Sequence, residues 1–312
     1  MHLPAPKRHS GADVLDGGIG NDTLNYSASL VGVIVDLDAG TASGGDADGD
    51  TIAGFENVIG SAHDDTITGD ELANNLSGGA GNDTIDGGLG NDVINGGAGA
   101  DDLDGGGDID TLSYAGSSAG VTVDLSVPSA SGGDADGDVI AGFENVTGSA
   151  HADTLTGDGG ANVIAGGAGA DVLAGAGGAD TISDGTGADT IIGGDGADLI
   201  NLANDGTTDL IDYNAISEAG DSITGFNAGA VPGPGDQFDV QDLLTGFAGA
   251  TLADAVLGGF VTFADSGAGG TLVQVDGDGL GDSFTTVATL EAIGFVDIAT
   301  SEALLADNII VT

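Results

Sequence analysis

An all-β solenoid of short parallel strands is the fold class this sequence predicts, and three observations predict it. A nine-residue phrase repeats in fixed register: GGAGNDTID at 78–86, GGLGNDVIN at 87–95 and GGAGADDLD at 96–104. Its eighth place is aliphatic each time, at Ile85, Ile94 and Leu103. A longer period overlies the first. Tyr26 recurs as Tyr114, GGDADGD at 44–50 as 132–138, and GFENV at 54–58 as 142–146, all at one constant offset. Self-similarity at a fixed period is the mark of a solenoid, in which each turn contacts mainly its neighbours.

Glycines at the first, second and fourth places permit positive φ and let backbone carbonyls approach a bound ion. The sixth place carries an aspartate, Asp83 in the first phrase, and Ile85 follows two residues later. Residues two apart share a face in a strand, but the turn changes direction before Asp83, so alternation does not fix its orientation. The phrase therefore reads as a six-residue turn and a three-residue strand whose aliphatic side chain enters the core. Two phrases make one coil, and turns eighteen residues apart stack on the same edge. Along the chain this gives an N-terminal tail at 1–10, a first segment with an extended loop at 11–59, and a repeat tract at 60–113. A duplicated extended-loop segment at 114–147, a second tract at 148–211 and a C-terminal region at 212–312 follow.

Charge says what such a solenoid needs. The chain has 51 acidic residues against 2 Lys plus Arg, a formal charge of -49. Self-repulsion on that scale opposes compaction, yet 40% of the residues are hydrophobic, against simple disorder. The two facts are reconciled if cations are part of the fold. The only basic residues, Lys7 and Arg8, lie in the tail, so a nucleic-acid partner is not expected. No cysteine is present, which excludes disulfides and thiolate metal sites. The N-terminus MHLPAPKRHS lacks the apolar stretch of a cleaved signal. No apolar run approaches the ~18–20 residues of a membrane span.

The repeat resembles the G-G-x-G-x-D-x-U-x nonapeptide of the RTX (repeats-in-toxin) family. The resemblance implies a right-handed parallel β-roll, stabilised by calcium, with one ion between each stacked pair of turns. In that family the earlier turn offers carbonyls from its second and fourth places plus its Asp. The later turn offers its first and third carbonyls plus its Asp. Carried onto this sequence, one site is Gly79, Gly81 and Asp83 with Gly96, Ala98 and Asp101. On the other edge Gly88, Gly90 and Asp92 meet Gly105, Gly107 and Asp110. In the second tract Gly167, Gly169 and Asp171 pair with Asp184, Thr186 and Asp189, and Ala176, Gly178 and Asp180 with Gly193, Asp195 and Asp198. The same rule adds Asp22, Asp65 with Gly78 and Ala80, Asp153 with Gly166 and Ala168, and Gly175 with Gly177. All-oxygen ligands suit hard calcium over magnesium or softer metals, and the stacked-turn rule gives roughly eight ions. Asn74 and Asn162 replace the sixth-place aspartate, and His63 and His151 the fourth-place glycine. Sites using these units are expected to be weaker or missing.

Other signals are outweighed. Asp46, Asp48 and Asp50, with Asp134, Asp136 and Asp138 in the copy, open like an EF-hand loop, but Thr51 and Val139 stand where the glycine belongs. These loops, and Asp276, Asp278 and Asp282, remain candidates for extra calcium against a solvated acidic loop. GSSAG at 116–120 fits a nucleophile motif, yet its duplicate puts Leu30 at Ser118, and no strand-to-helix context follows. His63 and His151 are solitary and read as turn residues. A threonine row at Thr66 and Thr84 breaks at Asp102, against ice binding. No catalytic residue is expected, and the chain is not read as an enzyme.

The C-terminal region changes composition, with seven of the nine phenylalanines between Phe226 and Phe295. It resembles the type I secretion target domain of RTX proteins through GDQFDVQDLLTGF at 235–247, TLVQVDGDGLGDSF at 271–284 and the final TLEAIGFVDIATSEALLADNIIVT. The resemblance implies a β-rich cap, export through an ABC transporter channel and an extracellular or cell-surface location. A structural or adhesive role, with self-association or surface binding, then follows. The alternative is the calcium-binding export module of a larger secreted protease, lipase or epimerase, which requires sequence upstream of the roughly ten residues before the first repeat.

Overall fold

The computed structural model describes residues 11–214, 218, 220–226, 236–239, 261–265, 271–275, 285–290 and 309–310. The chain divides into two compact units, Met1–Ala150 and His151–Thr312.

In the first unit successive nine-residue phrases feed two sheets alternately. Thr66–Thr68, Thr84–Asp86 and Asp102–Asp104 lie side by side in one. Asn75–Ala80, Val93–Ala98 and Thr111–Ser113 lie side by side in the other. Every pairing is parallel and offset by eighteen residues, with Ile67 opposite Ile85 opposite Leu103, and Leu76 opposite Ile94 opposite Leu112. Those six side chains are fully buried. The strands are short because each must bury only one aliphatic residue before the chain turns. Two such ladders shield one another from water, and that burial is the main apolar stabilisation available to so thin a core.

Two excursions interrupt the eighteen-residue rhythm without breaking the register. After Val14–Asp16 the same sheet continues with Asp50–Ala53, Leu15 opposite Ile52. Beyond Asp50–Ala53 in the sheet come Thr41–Ser43 and then Ile34–Asp36, each joined antiparallel to the strand before it, and Ile34–Asp36 then pairs parallel with Thr66–Thr68. In the copy, Asp102–Asp104 pairs directly with Val139–Ala141, and Thr111–Ser113 with Asn145–Thr147. Each acidic GGDADGD segment folds as a short 3-10 turn, Gly45–Ala47 or Gly133–Ala135, over a buried alanine. Neither turn is an EF-hand.

The second unit repeats the pattern. Thr154–Thr156, Val172–Ala174, Thr190–Ile192 and Leu210–Asp212 form one ladder, and Val163–Ala168, Thr181–Thr186, Leu199–Asn201 and Asp221–Thr224 the other. Beyond Asp221–Thr224 the second sheet passes to Thr285–Leu290, then antiparallel to Thr271–Val275 and Val261–Asp265. This sheet therefore ends in an antiparallel meander. Most of the three export-like motifs, and Asp276, Asp278 and Asp282, lie outside the described residues. Among the described residues no helix is long and apolar enough to cross a membrane.

Candidate metal sites between stacked turns

In the regular turns the sixth-place carboxylate does two different things with its two oxygens. One, Oδ1, accepts the backbone N–H of the sixth-place residue in the preceding coil. Asp83 accepts from Asp65 at 2.8 Å, Asp92 from Asn74 at 2.7 Å, Asp101 from Asp83 at 2.8 Å and Asp110 from Asp92 at 2.8 Å. In the second unit Asp171 accepts from Asp153, Asp180 from Asn162, Asp189 from Asp171 and Asp198 from Asp180, each at 2.8 Å. A ladder of charge-assisted bonds thus ties coil to coil.

The other oxygen, Oδ2, is buried and has no hydrogen-bond donor in Asp22, Asp83, Asp92, Asp101, Asp110, Asp171, Asp180, Asp189 and Asp198, and the same holds for the first-place Asp184. An ionised oxygen left so costs several kcal/mol unless a positive charge meets it. Burial is the largest influence on these carboxyls. It pushes Asp83 up to about 7 and Asp92, Asp101, Asp110, Asp180 and Asp189 up to about 6, against the lowering effect of the backbone bond.

The first-place glycine keeps open the space these oxygens face. A Cβ added at Gly78 would overlap Asp83 Oδ2 and lie 2.6 Å from the carbonyl oxygen of Gly96. At Gly87 a Cβ would overlap the Gly105 carbonyl and lie 2.5 Å from Asp92 Oδ2, and at Gly175 it would overlap both Asp180 Oδ2 and the Gly193 carbonyl. An orphaned carboxylate oxygen and a carbonyl of the next turn therefore converge on one small cradle. The donors are all hard oxygens, which is what a calcium ion takes.

A family model described as the RTX calcium-binding nonapeptide repeat matches residues 9–28, 50–82, 59–94, 77–112, 140–173, 147–182 and 174–206. The chain carries RTX calcium-binding repeats. Among solved structures, the AlgE6R3 subunit of the mannuronan C5-epimerase from Azotobacter vinelandii is similar at 26% sequence identity, covering 51% of this chain and 78% of that one. Its TM-score is 0.20, too low for that likeness to carry an argument about the fold. No curated protein matches the chain.

The imperfect RTX turns differ in the way their chemistry requires. Both oxygens of Asp65 are already served: Oδ1 by the N–H of Val33 and the Ser61 hydroxyl, Oδ2 by the N–H of Ser61. Asn74 closes its own turn, accepting from the Asp70 N–H at 2.9 Å and donating to Asp70 Oδ1. Asn162 does the same with Asp158. Of the carbonyls that the resemblance implies as ligands, those of Gly88, Ala98, Ala176, Thr186 and Asp195 accept a backbone N–H, which leaves each a second lone pair.

Several residues of the RTX ladder escaped the sequence reading. After each excursion the sixth place is filled by Asp50 or Asp138, which accept the N–H of Asp13 and Asp101. On the other sheet it is filled by Glu56 or Glu144, which accept from Asp22 and Asp110. Asp209, at the end of the second tract, and Asp221 and Asp236 beyond it continue the ladder. In three of these places a tyrosine hydroxyl donates to the second oxygen. Tyr26 serves Asp50 at 2.9 Å, Tyr114 serves Asp138 at 2.7 Å and Tyr213 serves Asp221 at 2.7 Å. The signal was available: Tyr, Asp and Glu recur together in both copies of the duplicated block.

Proposed function

We propose that this calcium-binding β-roll is secreted through a type I channel, folds when it meets extracellular calcium, and serves a structural or cell-surface role rather than catalysis. The observation that carries the reading is the row of buried, unpartnered Asp Oδ2 atoms facing the glycine cradles. In each gap the residues that hold the ion are the two stacked aspartates and the turn carbonyls, as in Gly79, Gly81 and Asp83 with Gly96, Ala98 and Asp101.

When bound, calcium supplies the positive charge that these oxygens lack and removes repulsion along the ladder. The chain's own residues do the rest. The Oδ1 bonds align successive coils, the first-place glycines keep the cradle open, and the aliphatic ladder excludes water. Cytosolic free calcium lies far below the ~10⁻⁴–10⁻³ M affinities of extracellular modules. A chain of charge -49 then stays unfolded and threadable inside. Outside, binding to the folded state alone stabilises it by linkage.

Circular dichroism of the full chain tests this. The account expects little β structure in EGTA and a cooperative gain on adding millimolar calcium. A chain fully folded in EGTA sinks it.

A further inference from the structure

The turn 184–189 departs from the repeat in a way that adds a ligand. Its first place, where other turns have glycine, is Asp184. Carboxylate oxygens of Asp184, Asp189 and Asp209 all lie within 4.8 Å of one another. The three residues are 1%, 2% and 1% exposed.

Two of the three are visibly short of a partner. Asp184 Oδ1 accepts the N–H groups of Gly185 and Ala203, and Asp209 Oδ1 accepts that of Asp189. Oδ2 of Asp184 and Oδ2 of Asp189 have no donor at all. The backbone and side chain of Asp184 also face different gaps. Its carbonyl converges with Asp171 Oδ2 on the Gly166 cradle, while its carboxylate takes the N–H of Ala203 in the following coil.

We infer that Asp184, Asp189 and Asp209 form a three-carboxylate cation site, distinct from the two-carboxylate sites of the other turns, with Asp184 belonging to two successive gaps at once. The inference rests on the reading of the turns as calcium sites. Three formal negative charges around one cation hold it more tightly than two, since affinity in such sites follows ligand charge. They also favour a trivalent ion, which they neutralise fully, over calcium. Burial raises Asp184 to about 7, with Asp209 and Asp189 adding repulsion, in keeping with a cluster that needs a positive guest.

Terbium competition on the calcium-loaded full chain at pH 7.5 tests the site. One terbium should displace one calcium at a concentration about tenfold below that needed for the remainder. Asp184→Asn, which keeps the shape and the Oδ1 acceptor, should abolish that early step by moving it to the concentration of the later ones. Asp184→Gly, which restores the repeat, should do the same. An early step that survives in both variants, or is absent from the parent chain, overturns the inference while the ordinary turn sites stand. A parent chain that binds no calcium overturns both.

Discussion

Asp83 shows how one residue type can serve two ends: Oδ1 locks a coil to its neighbour, and Oδ2 is kept unsatisfied. Where a tyrosine reaches the second oxygen, as Tyr114 reaches Asp138, the chain supplies from within the partner that a cation is proposed to supply elsewhere. Burial and the nearby Asp138 charge hold the Tyr114 hydroxyl well above its usual range, so it remains a donor. Tyr114→Phe should therefore cost about 1–3 kcal/mol by leaving that oxygen unpartnered, measured by denaturant unfolding in saturating calcium. Unchanged stability would show that Asp138 has another partner. The sixth-place aspartates were legible in the sequence because their spacing never varies within a tract. Asp138 and Glu144 were not, since their ladder partners Asp101 and Asp110 lie 37 and 34 residues away instead of eighteen. Their recurrence with the tyrosine in both copies marks them, but only the folded path of the excursion gives their partners.

At the level of elements, the three-residue strand is the unit of stability. Its middle residue carries nearly all the apolar burial, and the residues beside it are exposed or half-buried. Leu103→Ala should cost about 2–5 kcal/mol, whereas Val93→Ala, at a position 36% exposed, should stay within about 0.5 kcal/mol. Denaturant midpoints in calcium would compare them directly, and equal losses would mean that the two ladders are not the core. Alternate phrases feeding opposite sheets could be read from the sequence, because a nine-residue unit with one inward aliphatic admits few other arrangements. The antiparallel excursion of Ile34–Asp36, Thr41–Ser43 and Asp50–Ala53 could not. Its strands lack the nonapeptide, and their pairing depends on where the flanking coils leave room.

For the whole molecule, the buried carboxylates set how stability depends on pH. In the metal-free folded chain burial raises Asp83, Asp184 and Asp221 to about 7 and Asp92, Asp101 and Asp110 to about 6, from an ordinary 3.8. The folded state thus binds more protons than the unfolded chain between about pH 4 and 7, so its stability falls as pH rises through that window. Acidifying the chain in EGTA from about pH 7.5 to 5 should increase β structure, and the same protons, competing for the carboxylates, should weaken calcium binding to the folded roll. Loss of structure on that acidification would contradict the assignment. The most direct measurement is an anomalous difference map from crystals grown in millimolar calcium. The account predicts peaks beside Oδ2 of Asp83, Asp92, Asp171 and Asp180, in the gaps bounded by the first-place glycines. Featureless density at those four oxygens, in an otherwise well-ordered roll, would contradict it.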